Sequence, residues 1–255
     1  TTGSYNVGVG GASLRNNTTG SYNVAIGRDS LLSNTTVSYN TAVGYQAGYS
    51  NTNGGADLTF IGYQAGYYQN NGANTAIGSK AMYGASTGGF LGAYNVAVGG
   101  QALYSNTTAS SNTAVGYQAG YSNTTGNEIV AMGYRALYSN TTGVGHTAIG
   151  LNALNANSTG SSNTAIGDAA LQNNTTASSN TAVGYQAGFA NTTGGYGTFV
   201  GCLSGYNTTG AGGYNLNTFI GYASGNLVTT GTRNTILGGY NGNQSNLDIR
   251  TASNY

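Results

Sequence analysis

Charged residues are scarce in this chain. Six Lys and Arg, five Asp and Glu and one His occur among 255 residues, so only 4% are charged. An ordinary globular domain has about a quarter of its residues charged. The net charge of +1 provides no basic field for nucleic acid and no polybasic segment for a lipid surface. Because no run of 18 apolar residues occurs either, the sequence predicts neither nucleic-acid binding nor membrane insertion.

Residues that perform chemistry are equally few. Cys202 is the only cysteine, which excludes an internal disulfide, and His146 is the only histidine. A zinc site or a nucleophile triad needs several such side chains together. Asp57 and Glu128 share one repeat position but lie four repeats apart, beyond the roughly 5 to 10 Å of a glycosidase pair. The sequence therefore predicts a non-enzymatic protein without catalytic, cofactor or metal sites, unless acids of two chains meet.

What the chain has in abundance is a repeat. A β-branched residue, usually a small one, an aliphatic one and then Gly recur fourteen times, most often 17 residues apart. A fixed period of this length predicts a solenoid whose coils stack on their neighbours. We number each coil from its glycine as position 0. The fourteen glycines are Gly10, Gly27, Gly44, Gly62, Gly78, Gly99, Gly116, Gly133, Gly150, Gly167, Gly184, Gly201, Gly221 and Gly238.

The residues around each glycine predict the elements of a coil. Position −3 is Val or Thr and position −1 is Val, Ile, Leu or Met in every copy, whereas position −2 is Ala in nine. β-branched residues favour strands, in which alternate side chains share a face. We expect the −1 aliphatics, such as Ile149, to form the core column. A second short segment, strand or bend, follows the glycine, and an Asn-Thr-Thr-Gly cluster predicts a turn.

The sequence thus predicts an all-β parallel β-solenoid, or β-roll, of about 14 coils over residues 1–240, with two short strands and two turns per coil. Residues 241–255, including Leu247–Thr251, are expected to form an exit strand or linker. Because the chain begins at Thr1 within a repeat, we interpret it as a segment of a longer polypeptide. With 45 Gly the composition is typical of disorder, but the placement of apolar residues in register favours a folded stack.

Polar and aromatic positions carry further predictions. Asn occupies position −4 in ten copies, with His146 in one more, and we expect it to close the turn and bond the next coil. The Asn-Thr-Thr units match glycosylation sequons but are interpreted first as turn chemistry. Tyrosine is interpreted as packing or as a sugar-binding strip. Tyr at +1 often accompanies Gly at +4, as with Tyr117 and Gly120, so we expect the ring to fill the space above the glycine.

Two insertions interrupt the period, around residues 84–93 and 210–215. Insertions in solenoids usually leave one edge as loops, often at the binding edge. Phe90 and Leu91 are the only bulky apolar pair within one of them, so that loop is the candidate contact with a partner. The candidate contact residues are Phe90, Leu91, Tyr94 and Tyr214.

Short phrases of the repeat resemble known families. Asn163-Thr164-Ala165-Ile166-Gly167 is similar to the head repeats of trimeric autotransporter adhesins, left-handed parallel β-rolls with a shorter period. The fuller unit, Ala182–Ala187 followed by Asn191–Gly194, resembles repeats of phage tail-fibre proteins. The segment Leu247–Asn254 is similar to the lead-in of their C-terminal region.

These resemblances imply a homotrimeric, extracellular shaft of a phage tail fibre. It would present loops to a glycan or protein receptor on the host surface. A trimeric adhesin of the bacterial cell surface is the alternative. An ice-binding solenoid is the outside alternative, because regular Thr ladders suit such a surface.

Overall fold

The chain folds as an all-β parallel β-solenoid, seen in a computed structural model that describes residues 2–52, 55–84, 92–210, 213–244, 247–248, 251 and 253. Each coil contributes one three-residue strand at positions −3 to −1. The strands are β1 Val7–Val9, β2 Val24–Ile26, β3 Thr41–Val43, β4 Thr59–Ile61, β5 Thr75–Ile77, β6 Val96–Val98, β7 Thr113–Val115, β8 Val130–Met132, β9 Thr147–Ile149, β10 Thr164–Ile166, β11 Thr181–Val183, β12 Thr198–Val200, β13 Thr218–Ile220 and β14 Thr235–Leu237.

The chain divides into two compact units, Thr1–Glu128 and Ile129–Tyr255. The first contains β1 to β7 and the second β8 to β14, each set being a parallel sheet in chain order. Thr164 of β10 pairs with Thr147 of β9 and Thr181 of β11. Like positions therefore lie beside one another within each unit, and the predicted parallel solenoid is confirmed.

The strand faces are opposite to our expectation. Position −2 points into the coil: Ala148 and Ala165 have no exposed surface. Position −1 points outward, and Ile149 and Ile166 are 36% and 37% exposed. The prediction that the −1 aliphatics form the core column is therefore wrong. A coil of 17 residues has too little interior for a large side chain on both sides, and Ala on the strand leaves room for the turn opposite.

The segment after the glycine is a chain of turns rather than the second strand that we considered. Asn152 at position +2 and Leu154 at +4 have φ of 54° and 51°, a left-handed conformation that an extended strand does not contain. The turns are nevertheless bonded from coil to coil, since Leu154 donates its N–H to the Ala170 carbonyl at 3.0 Å. The sequence contains one sign of these left-handed turns. Position +4 is Gly in some coils, and glycine adopts a positive φ more readily than other residues.

The glycine at position 0 is required by conformation and by space. Gly150 has a φ of +133°, and a Cβ on it would lie 2.5 Å from the Gly167 carbonyl oxygen of the next coil. Any side chain there would force the two coils apart. The invariant glycine thus sets the close spacing of the coils.

Bulk in the core alternates between positions −2 and +4. Where −2 is Ala, +4 is often a fully buried Leu or Met, as with Ala76 and Met82. Where −2 is Phe, +4 is Gly: a Cβ on Gly66 would lie 2.6 Å from the ring of Phe60. The space beside these glycines is therefore filled by Phe from the strand.

The predicted pairing of Tyr at +1 with Gly at +4 has a different basis. Tyr63 and Tyr185 at +1 are each 49% exposed, while the neighbours of a Cβ at Gly188 are the side chains of Phe199 and Leu171. The expectation that the tyrosine ring fills the space above the glycine is wrong for these coils. The ring of phenylalanine, sometimes from the adjacent coil, takes that place.

At the C-terminal end the repeat gives way to a short antiparallel pair, β15 Asn243–Gln244 and β16 Leu247–Asp248. The predicted exit strand therefore begins at Leu247 but pairs with the chain just before it. Of the remainder of the predicted strand, Ile249 and Arg250 lie outside the described residues, and Thr251 lies in a bend.

Candidate functional surfaces

A buried column of asparagine at position −4 links successive coils. Asn163 Oδ1 accepts the backbone N–H of Asn180 at 2.9 Å, and its Nδ2 donates to the Ala177 carbonyl at 2.8 Å. Asn23 makes the same bonds in the first unit, to the Asn40 N–H at 3.0 Å and the Val37 carbonyl at 2.8 Å. The predicted role of this asparagine, closing a turn and bonding the next coil, is confirmed.

A second buried column lies at position +7, where the sequons begin. Asn174 donates its Nδ2 to the Ala177 carbonyl at 3.0 Å and to Asn157 Oδ1 at 2.8 Å. Both asparagines have no exposed surface. Because the nitrogen that would carry a glycan is buried and already donating, the interpretation of these units as turn chemistry is confirmed in the folded chain.

His146 replaces asparagine in the −4 column. Its Nδ1 accepts the Asn163 N–H at 3.3 Å, as Asn Oδ1 does elsewhere, and its ring also bonds the Gly160 backbone. Its Nε2 lies 3.2 Å from Asn157 Nδ2. Burial lowers the pKa of this histidine, against a smaller opposing effect of the backbone bonds. An accepting Nδ1 requires the neutral ring, so His146 belongs to the structure as an uncharged stand-in for Asn.

The outward strand face is a regular surface of each unit. Positions −3 and −1 both point to solvent, so a column of Val or Thr runs beside a column of aliphatic residues. We call this the outer sheet face. Its exposed aliphatic residues at position −1 are Val9, Ile26, Ile61 and Ile77 in the first unit and Met132, Ile149, Ile166, Ile220 and Leu237 in the second, and Val7 and Val96 are exposed at position −3. Such a face buries apolar surface only if something covers it.

Aromatic columns follow two turn positions. Tyr5, Tyr22 and Tyr39 at position −5 stack with centroids 5.0 and 5.2 Å apart. A longer column at position +5 comprises Tyr49, Tyr67, Tyr83, Tyr104 and Tyr121, with successive centroids 4.9, 5.2, 5.2 and 5.0 Å apart. The prediction that tyrosine serves packing holds for these stacked rings, and the sugar-binding alternative stays a prediction.

Two of the cations, Lys80 and Arg135, lie near tyrosine rings. Lys80 Nζ is 5.9 Å from the Tyr63 ring centroid and 5.5 Å from that of Tyr83. The Arg135 guanidinium lies 5.3 and 5.2 Å from the rings of Tyr134 and Tyr138. At these distances the ring quadrupole attracts the cation, so both charges serve the aromatic surface.

Of the four predicted contact residues, the structure describes two, Tyr94 and Tyr214. Phe90 and Leu91 lie outside the described residues. Tyr94 belongs to the first unit and is 70% exposed, while Tyr214 belongs to the second and is 60% exposed. Tyr214 stacks on Tyr196 with centroids 6.0 Å apart. Both rings are therefore accessible from solvent.

Groups for chemistry are not gathered in the part of the chain that the structure describes. No set of three His, Cys, Asp or Glu residues there could hold a metal ion. An ion pair joins Arg28 Nε and Asp29 Oδ2 at 3.4 Å, between neighbours in sequence. Among the described residues, no helix long and apolar enough to cross a membrane is present.

Comparison of the chain with protein-family models, curated proteins and solved structures finds no match.

Proposed function

We propose that this chain is a structural shaft: a segment of an extracellular, homotrimeric fibre of the phage tail-fibre type, without enzymatic activity. The observation that carries the proposal is the outer sheet face, where the aliphatic side chain at position −1 is exposed in nine coils and half-buried in the other five. A soluble chain rarely leaves so regular an apolar face uncovered. Copies of the same chain present the same face with the same spacing, so they complement one another.

Charge and rigidity support the same role. With a net charge of +1, copies that approach along their length meet little electrostatic repulsion. Within each unit the asparagine columns and the coil-to-coil backbone bonds fix one repeat against the next. A stack held in this way keeps its exposed loops in fixed positions, which is what a fibre that attaches to a host surface needs. Receptor contact, by a glycan or a protein, would then fall to exposed residues such as Tyr94 and Tyr214.

The oligomeric state in solution tests this proposal. We expect sedimentation equilibrium of the purified chain to give three times the mass of 25.6 kDa. The variant Ile149→Lys/Ile166→Lys places two charges on the outer sheet face and should give a monomer. The matched control is Thr142→Lys/Thr159→Lys, which places two charges on exposed turn positions and should leave the trimer intact. A monomeric parent chain at all concentrations would contradict the proposal.

The alternative is that the same shaft belongs to a trimeric adhesin of the bacterial cell surface. An ice-binding solenoid is a different function, and one observation favours it: Thr at −3 and aliphatic residues at −1 share the outward face. An ice-recrystallisation assay separates them. Strong inhibition by the parent chain, lost in Thr164→Lys/Thr181→Lys, would support the ice-binding function and oppose the shaft.

A further inference from the structure

The tyrosines at position +5 of the first unit form a stack with an unusual chemical property. Five phenols lie one above another: Tyr49, Tyr67, Tyr83, Tyr104 and Tyr121. We call them the tyrosine column. Successive ring planes are inclined by 2°, 21°, 6° and 8°, so each ring presents its face to the next. All five side chains are partly exposed, within reach of a small oxidant.

The backbone holds these rings in register. Ser50 donates its N–H to the Tyr67 carbonyl at 3.0 Å, and Ser105 does so to the Tyr121 carbonyl at 3.0 Å. Tyr68 and Gly84 make the equivalent bonds to Tyr83 and Tyr104 at 3.0 and 2.9 Å. Neighbouring phenols therefore need no diffusive search to meet, and such preorganisation favours a reaction between them.

We propose that the tyrosine column is a modification site at which one-electron oxidation forms dityrosine bonds between successive coils of the same chain. The oxidant class is a peroxide with a haem peroxidase. Each of two neighbouring phenols loses one electron and one proton to give a tyrosyl radical. The radicals couple through ring carbons adjacent to the oxygen-bearing carbon, forming one C–C bond. The hydrogen on each bonded carbon then moves to oxygen, restoring both phenols, while hydrogen peroxide gains two electrons and two protons to give two waters.

The second unit contains a natural contrast. Phe189 and Tyr206 occupy the same +5 position and stack with centroids 5.0 Å apart and planes inclined by 6°. The geometry matches that of the tyrosine column, but Phe189 has no phenol to oxidise. This pair separates the effect of stacking from the requirement for two phenols, and Phe189→Tyr should create a coupling site there.

Tyr68 provides an alternative partner inside the column. Its ring meets Tyr67 and Tyr83 edge to face, with centroids 4.6 and 5.3 Å away. Burial, with smaller contributions from the neighbouring phenols and from a side-chain hydrogen bond with Tyr68, raises the pKa of Tyr83 to about 12. Tyr83 therefore stays protonated at neutral pH, and its oxidation must remove the proton together with the electron.

The test oxidises the purified chain at high dilution with horseradish peroxidase and limiting hydrogen peroxide, followed by peptide mapping of cross-links by mass spectrometry. We expect links within one chain at Tyr49–Tyr67, Tyr67–Tyr83, Tyr83–Tyr104 and Tyr104–Tyr121. Tyr67→Phe/Tyr104→Phe should remove all four, while a link between Tyr68 and Tyr83 can still form. Phe189→Tyr should add a link to Tyr206 without altering the others.

Two results would overturn the proposal. One is a yield of links between stacked tyrosines no higher than between exposed, unstacked ones such as Tyr94 and Tyr222, which would mean indiscriminate surface oxidation. The other is failure of Phe189→Tyr to link to Tyr206 while circular dichroism shows an intact fold. Because the links form within one chain, the proposal is independent of the fibre function and stands or falls separately from the trimer.

Discussion

Two neighbouring coils of the first unit fill the same interior in opposite ways. In the coil of β4, Phe60 supplies the bulk from the strand and Gly66 faces it from the turn. In the coil of β5, Ala76 lies on the strand and Met82 supplies the bulk from the turn. Both strands have the same length and pair in register, Phe60 beside Ala76. The interior volume of a coil is fixed by its backbone, and the sequence decides only which side fills it.

Removing the large side chain from the strand should lower the free energy of unfolding more than any other substitution that we propose. Phe60→Ala would leave a cavity between Gly48 and Gly66, since neither glycine has a side chain to move into it. We expect a loss of about 3 to 5 kcal/mol in the free energy of unfolding. Urea denaturation followed by far-ultraviolet circular dichroism measures it. An effect below about 1 kcal/mol would show that the ring is not a packed core group.

Adding bulk to the turn should be the next largest effect. Gly66→Met would drive a side chain into the Phe60 ring, and we expect overpacking to cost about 1 to 3 kcal/mol. The left-handed backbone at Gly66 adds a strain of about 1 to 2 kcal/mol, which Met82 already bears at the same position with a φ of 46°. In the double variant Phe60→Ala/Gly66→Met the coil takes the filling of its neighbour, so the costs should be far from additive. Additive costs in the double-mutant cycle would mean that the two positions are uncoupled.

One coil with Ala on the strand and Leu in the turn has His146 at position −4, and this histidine should make the stability of the coil depend on pH. His146 precedes Ala148 and Leu154 in one coil, and burial lowers its pKa below the ordinary value. The unfolded chain therefore binds a proton more readily than the folded one. The stability that neutral His146 provides is complete above about pH 6.5 and is lost as pH falls towards its folded pKa. The loss is at most about 1.4 kcal/mol per pH unit.

The control for this pH effect is His146→Asn, which restores the residue of the −4 column. Thermal melts of parent and variant between pH 7.5 and 4.5 should diverge on the acid side, the variant showing the flatter profile. Parallel profiles would show that His146 does not titrate differently in the folded chain.

A charge on the outer sheet face should have the smallest effect on folding of a single chain. Ile149→Asp removes an outward side chain next to the buried Ala148, so both ways of filling the core are left intact. We expect a change below about 1 kcal/mol, the range of strand propensity, in the variant held monomeric by dilution. A loss of several kcal/mol there would restore the core role that the sequence suggested for this position.

The sequence by itself determined the period, the parallel stacking and the asparagine columns. A strict repeat places like residues beside like, and an amide such as Asn163 can donate and accept along the stack whatever the shape of the coil. The candidate partner loop was also visible in sequence, as an interruption of the period, although Phe90 and Leu91 lie outside the described residues.

Only the tertiary structure decided which face of the strand is inside. Alternation divides a strand into two faces but assigns neither to the core, and hydrophobicity favoured Ile149 over Ala148. The turns settled the choice: left-handed residues at +2 and +4, such as Asn152 and Leu154, curl the chain so tightly that the strand opposite has room for Ala, or for Phe only where Gly faces it. The same close spacing of coils brings the tyrosines at +5 into contact, a consequence that their identity alone does not contain.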